Sequence, residues 1–248
     1  MAGSEASKAS FLFTPGELFA GGANREGDSA GTAIGSSPFS SRFQQIYNPS
    51  VFGSLPSGGL WIDELGFRVD GPLGTVFETR AVRGIEISLS TTQIGAESLS
   101  PIFDRNVGSN PQTVISPDQA VLVGSTWVGP DSPGGFNPSF VFHDKPFFYD
   151  PAKGSLLLDI KVVGGIDTFN LDAQHSSDRS ISSVFAYQFG DELPSLGSVS
   201  SLALVTQFRF FPAIPEPPTG ALLGLGLGAA ALALGRHKTT KGRDSVTS

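Results

Sequence analysis

The chain has 248 residues and no cysteine, which excludes disulfide scaffolds, thiol nucleophiles, iron–sulfur clusters and cysteine zinc sites. Glycine (31) and proline (18) are abundant, charged residues make up 16% and hydrophobic residues 39%; this balance suits strands and turns around a core and argues against a helical bundle or a wholly disordered chain. The formal net charge is −7, and the part before Ile214 holds 12 basic and 21 acidic residues; so acidic a body repels phosphate backbones, and no nucleic-acid partner is expected.

Residues 1–40 are rich in Gly, Ala and Ser and read as a flexible arm, with one edge strand expected around Glu17 to Ala20. Phe11-Leu12-Phe13 is cut off at once by Pro15, and nothing here has the basic start and continuous apolar run of a secretory signal peptide. From Phe43 onward the period is two. Leu65, Phe67 and Val69 alternate with polar neighbours; so do Ile85, Ile87 and Leu89, and then Leu156, Leu158, Ile160 and Val162, with Asp159 and Lys161 on the opposite face. A further run holds Leu202, Leu204, Phe208 and Phe210, with Gln207 and Arg209 pointing away. Shorter strands are expected at Val121 to Val123, Ser139 to Phe142, Thr168 to Ala173 and Ser183 to Phe189.

Asp70-Gly71-Pro72, Gly129-Pro130-Asp131, Asp150 to Gly154 and Val163-Gly164-Gly165 supply turn chemistry between these runs. Many short strands and no amphipathic helix predict an all-β body, an antiparallel β-sandwich of jelly-roll-like form over residues 41–213; a closed barrel satisfies the same pattern. The 20 Phe residues are expected mainly at inward positions, as core.

The body offers weak catalytic signals. His143 and His175 could serve a metal only if folding brought them beside a carboxylate such as Asp144, Asp172 or Asp178, and His175-Ser176-Ser177-Asp178 has no ligand spacing. There is no Gly-x-Ser-x-Gly elbow. Asp63-Glu64 and Asp191-Glu192 are adjacent carboxylate pairs, but neighbours on a strand point to opposite faces and flank one bond poorly. The stretch from Asp167 to Asp178 lacks the alternating oxygen ligands of a calcium loop. No catalytic, cofactor or metal residue is therefore assigned, and no cofactor is expected. Trp61, Trp127 or Tyr149, if exposed, could stack on sugar rings.

The character changes after Phe211. Ile214-Pro215-Glu216-Pro217-Pro218 can join neither a ladder nor a helix interior and reads as a stiff extended spacer. Residues 219–235 then run without a charge from Thr219 to Gly235. As one helix they span roughly 25 Å, short for a hydrocarbon core of about 30 Å but workable with local thinning. Gly220, Gly224 and Gly228 recur every fourth residue and line one helix face. Arg236, Lys238, Lys241 and Arg243 follow, and they predict a cytoplasmic C-terminus with the body on the outside.

The ordered combination of Pro215-Glu216-Pro217, the apolar stretch Ala221 to Leu234, and Arg236 with Lys238 resembles the PEP-CTERM sorting signal of exported bacterial proteins. The body is similar to β proteins that carry such tails, in Arg42 to Tyr47, Ile87 to Thr92, Phe148 to Pro151 with Leu156 to Asp159, and Leu204 to Phe208. The resemblance implies recognition at the inner membrane by an exosortase, removal of the signal, and release or attachment of the body at the cell surface or in an exopolysaccharide matrix. Such proteins normally carry an N-terminal signal peptide; a start placed too far downstream would account for its absence here. The expected function is thus an exported, non-enzymatic surface or matrix protein whose partners are an exosortase-like membrane enzyme, the inner membrane and exopolysaccharide. The alternatives are a carbohydrate- or exopolysaccharide-binding module and a membrane-tethered hydrolase.

Overall fold

The computed structural model describes residues 9–15, 29–34, 39–53, 58–68, 80–123, 135–136, 138–164 and 169–212. In chain order its first strands are β1 (Ser10–Thr14), β2 (Ser29–Ile34), β3 (Phe39–Tyr47), β4 (Leu60–Phe67), β5 (Arg80–Val82), β6 (Ile85–Thr92), β7 (Gln112–Ile115) and β8 (Val121–Val123). They are followed by β9 (Ser139–Val141), β10 (Phe147–Tyr149), β11 (Ser155–Val162), β12 (Phe169–His175), β13 (Ile181–Phe189), β14 (Ser198–Ser200), β15 (Leu202–Leu204) and β16 (Thr206–Pro212). Short 3-10 turns are the only helical elements among the described residues, and every ladder between these strands is antiparallel. The body is all-β.

Two sheets carry most of the core. One has the order β1-β16-β4-β10 with β9 also on β4; the other has the order β14-β13-β3-β11-β6-β7. Phe43, Tyr47, Ile87, Leu89, Leu158 and Ile160 of the second sheet share one buried cluster with Ile62, Leu65, Phe67, Phe208 and Phe210 of the first. This is the inward half of the alternation, in a sandwich-like arrangement, and each such side chain contributes about 1.5–3 kcal/mol by leaving water. Tyr47 and Phe208 meet edge to face at 5.0 Å.

Several polar groups inside this core find partners there. The Gln45 amide bonds the Leu204 backbone at both ends, its Oε1 accepting from Leu204 N at 2.7 Å and its Nε2 donating to Leu204 O at 3.2 Å. The Tyr47 hydroxyl lies 2.9 Å from Thr206 Oγ1 and accepts from Gln45 Nε2 at 2.7 Å. Arg68 and Asp172 form a fully buried ion pair, and Asp172 N donates to Arg68 O, tying the end of β4 to β12.

The expected single run over Leu202 to Phe210 is two strands. β15 pairs with β12, whereas β16 lies between β1 and β4. The chain changes sheets at Val205, whose N–H makes the last bond to β12, at Asp172 O, before β16 begins at Thr206. Two strands, β1 and β2, fall in the segment read from sequence as an arm. Leu12 is what draws β1 in, because it packs on the central core. The edge strand expected at Glu17 to Ala20 lies outside the described residues. So do the sorting tripeptide Pro215, Glu216 and Pro217, the glycine face Gly220, Gly224 and Gly228, the basic cluster Arg236, Lys238, Lys241 and Arg243, and the expected helix 219–235. Among the described residues no helix is long and apolar enough to cross a membrane.

Candidate functional site

The outward side of β11 does not face water as its alternation suggested. Residues 94–107 lie over the outer face of β3, β11 and β13, and Ala96, Leu99 and Phe103 form a second apolar cluster there with Ile46, Leu157 and Val184. Asp159 is therefore only 5% exposed, and Arg42 beside it 7%. Their pairing is bidentate, Arg42 Nε to Oδ1 at 3.1 Å and Nη2 to Oδ2 at 2.8 Å. Gln44 Nε2 donates to Oδ2 at 3.0 Å, Asn106 Nδ2 donates to Gln44 Oε1 at 3.0 Å, and Phe103 stacks its ring 5.0 Å from the guanidinium carbon. Burial by itself lowers the Arg42 pKa, but Asp159 and then Asp104 more than offset it, so the net direction is upward. A cavity of about 340 Å³ opens beside this network, with Glu86, Ser88, Ser90, Thr113 and Lys161 on its walls. Lys161 Nζ donates to Glu86 at 2.8 Å. Because the donors and acceptors at the floor already serve one another, the network acts as a clamp for the covering segment.

The outer face of β4 and β16 is arranged differently. Arg209 stands opposite Glu64, yet the next residue, Phe210, stands opposite Ile62, so Asp63 is the extra residue of a β-bulge. This corrects the expectation that Asp63 and Glu64 point to opposite faces, because the bulge turns both carboxylates toward one guanidinium. Arg209 holds Asp63 in a bidentate pair, Nε to Oδ1 at 2.9 Å and Nη2 to Oδ2 at 2.6 Å, and its Nε lies 3.2 Å from Glu64 Oε2. His143 Nδ1 lies 3.0 Å from Asp63 Oδ2 and 2.6 Å from Arg209 Nη2. A protonated Nδ1 donates to Asp63, and a bare Nδ1 accepts from Arg209, so either tautomer of the half-exposed ring is satisfied. Ser139 Oγ donates to Glu64 Oε1.

Next to this cluster lie rings. Trp61 stands between Phe211 on β16 and Phe148 on β10, and the Trp61 and Phe148 rings are 5.1 Å apart at 59°. Phe148 is 38% exposed, against the expectation that the Phe residues fill the core; Phe11, on the neighbouring β1 opposite Arg209, is 50% exposed. Gly59 has φ +87°, and a Cβ on it would run into the edge of the Phe148 ring. The ring is therefore seated on a residue that must be glycine, open on one side and fixed on the other.

The remaining candidates are dispersed. Tyr149 is buried with its hydroxyl donating to Gly154 O at 2.8 Å, so it offers no stacking face; burial, and then the charge of Asp150, push its pKa up. Trp127 lies outside the described residues. His175 sits on β12 with Nδ1 3.0 Å from Ser201 Oγ, and it is not brought together with His143 at any acidic cluster. Among the described residues no group of three His, Asp or Glu side chains could hold a metal ion. Asp178 accepts from Ser176 Oγ at 3.0 Å and Ser180 N at 2.9 Å in a turn. No family model matches the chain, and neither a curated protein nor a solved structure matches it.

Proposed function

We propose that the chain is an exported, non-enzymatic surface or matrix protein: a jelly-roll-like sandwich followed by a single C-terminal hydrophobic helix that serves as a PEP-CTERM-type sorting signal. The observation that carries this reading is the order of Pro215-Glu216-Pro217, a charge-free run over 219–235, and Arg236, Lys238, Lys241 and Arg243. An extended Pro-Glu-Pro backbone has no internal hydrogen bonds and is open to a processing enzyme. The apolar run holds that backbone at the depth of a membrane-embedded partner such as an exosortase, and the basic cluster keeps the tail inside while the body stands outside. After processing the body reaches the cell surface or the surrounding matrix.

The test is mass spectrometry of the chain, fused to a working signal peptide, from cells with and without an exosortase. Loss of a C-terminal fragment only in the first, abolished by Glu216→Ala, is expected; identical masses overturn the reading. A hydrolase reading is weaker. Glycoside hydrolysis needs one protonated carboxyl and one free carboxylate across a bond, whereas Arg209 bridges Asp63 and Glu64 together on one sheet face. The carbohydrate-binding reading has one specific observation in its favour, the Trp61–Phe148 shelf beside that cluster.

A further inference from the structure

We infer that the outer face of the β1-β16-β4-β10 sheet is a binding site for neutral polysaccharide, with Trp61 and Phe148 as the stacking shelf and Glu64, Arg209 and His143, held in place by the buried Asp63, as its hydrogen-bonding rim. The inference rests on the carbohydrate-binding reading and names its site and ligand class. Three features carry it. The first is exposure without looseness: Phe148 is 38% exposed, yet its ring edge rests against the glycine-only position 59 and its centroid lies 5.1 Å from that of the tilted Trp61 ring. A ring fixed before binding loses little entropy when a ligand covers it.

The second feature is the neighbourhood. Arg209 lies two residues before Phe211 on β16, so the charged cluster is one step along the same face from the Phe211–Trp61–Phe148 row, about 7 Å away. A sugar ring has an apolar C–H face and a perimeter of hydroxyls, each both donor and acceptor. A π-face beside carboxylates and a guanidinium presents complementary chemistry on both counts, with charge-assisted bonds at the rim. A purely apolar partner would leave those ionised groups covered without added partners, at a desolvation cost.

The third feature is charge. With His143 neutral the cluster sums to −1, and the body before Ile214 sums to −9. Uronate- or phosphate-bearing polymers are therefore repelled, and neutral hexose or pentose chains are the matching class.

The experiment uses the full chain in detergent micelles. Its two tryptophans are Trp61 and Trp127, so Trp127→Phe leaves Trp61 as the sole reporter on the site. Emission is titrated with dextran, galactomannan, xylan and laminarin, with alginate as the acidic arm and phosphatidylglycerol-containing vesicles as the lipid arm. Wild-type retardation in gels cast with each polymer gives a second reading that does not depend on the Trp127 variant. Expected are a saturable emission change and retardation with at least one neutral polymer, weakened roughly tenfold or more by Phe148→Ala. Thr113→Ala, on the far sheet, leaves both unchanged, and thermal melting shows that Phe148→Ala remains folded. The inference is overturned if no neutral polymer binds, if Phe148→Ala binds as wild type, if alginate binds more tightly, or if only vesicles shift the emission. Such a failure leaves C-terminal processing intact, and a failure of processing leaves this binding intact.

Discussion

The two large sheets turn opposite kinds of surface away from their shared core. On the six-stranded sheet the outer face is covered by residues 94–107, and its charged pair, Arg42 with Asp159, is sealed beneath. On the five-stranded sheet the outer face carries the exposed rings of Phe11 and Phe148, and its charged pair joins a partly exposed Arg209 to an Asp63 that is only 6% exposed. Similar bidentate arginine–carboxylate chemistry therefore stands in two settings. On the first face both partners are buried and fix the covering segment; on the second the carboxylate is buried while the arginine is partly exposed.

The sharpest way to break this contrast is Asp159→Ala. It strands the Arg42 guanidinium under the covering segment and is expected to destabilise the body by about 3–5 kcal/mol in urea unfolding. Asp104→Ala removes the other partner of Arg42 from a side chain that is 81% exposed and should change stability by no more than about 1 kcal/mol. Equal effects would mean that the covered pair is not sealed.

The core between the faces gives the next effect. Tyr47→Phe removes a hydroxyl bonded to Gln45 and Thr206 and should cost about 1–3 kcal/mol. Burial pushes the Tyr47 pKa up, as it does that of Tyr149, so the fold keeps both phenols neutral. The unfolded chain releases their protons near pH 10. This stability is therefore fully present below about pH 10 and is lost as pH rises beyond it. Melting temperature should fall steeply in wild type only above about pH 10, and less steeply there in Tyr47→Phe.

On the other face, Arg209→Ala leaves the buried Asp63 carboxylate with His143 as its remaining partner and should cost about 2–3 kcal/mol, somewhat less than Asp159→Ala. Phe148→Ala should cost about 1 kcal/mol, since the ring loses its contact with Trp61 but is already partly exposed. A melting shift for Phe148→Ala as large as that of Asp159→Ala would make this face a hidden core. The smallest effect is at Asp178, whose carboxyl the Ser180 hydroxyl and amide hold below the usual carboxylate range. Its contribution is present above the ordinary aspartate pKa and is lost as pH falls through the lowered folded value, so Asp178→Asn should flatten the acid limb of a melting curve between pH 5 and 2.

Strands whose apolar residues face the core and alternate with polar ones were legible from sequence. β6 and β11 fall where their alternation puts them, because one face meets the central core. The burial of Arg42, Gln44 and Gln45 on β3 was not legible, since their partners come from residues 62 to 159 positions away. Pattern along a chain carries no trace of such distant partners. The same limit hid the covering of Asp159. The Asp63-Glu64 pair failed differently, through one extra residue on β4 that reverses a side chain without altering composition. A signal did exist for the rings: Gly58-Gly59 before Trp61, and Phe147-Phe148-Tyr149 after a turn, place glycine and adjacent aromatics where at least one ring must face outward.

The tail is the part on which the functional account turns, and the absence of native cysteine makes it directly measurable. Leu227→Cys places one thiol at the middle of the charge-free run, and Val199→Cys places one on β14, where the side chain is 47% exposed. With the signal-peptide fusion in cells lacking an exosortase, a membrane-impermeant maleimide should label position 199 from outside and leave position 227 unlabelled until detergent is added. A membrane-free, water-soluble protein whose position 227 labels without detergent, or a β14 thiol protected in intact cells, would contradict the account.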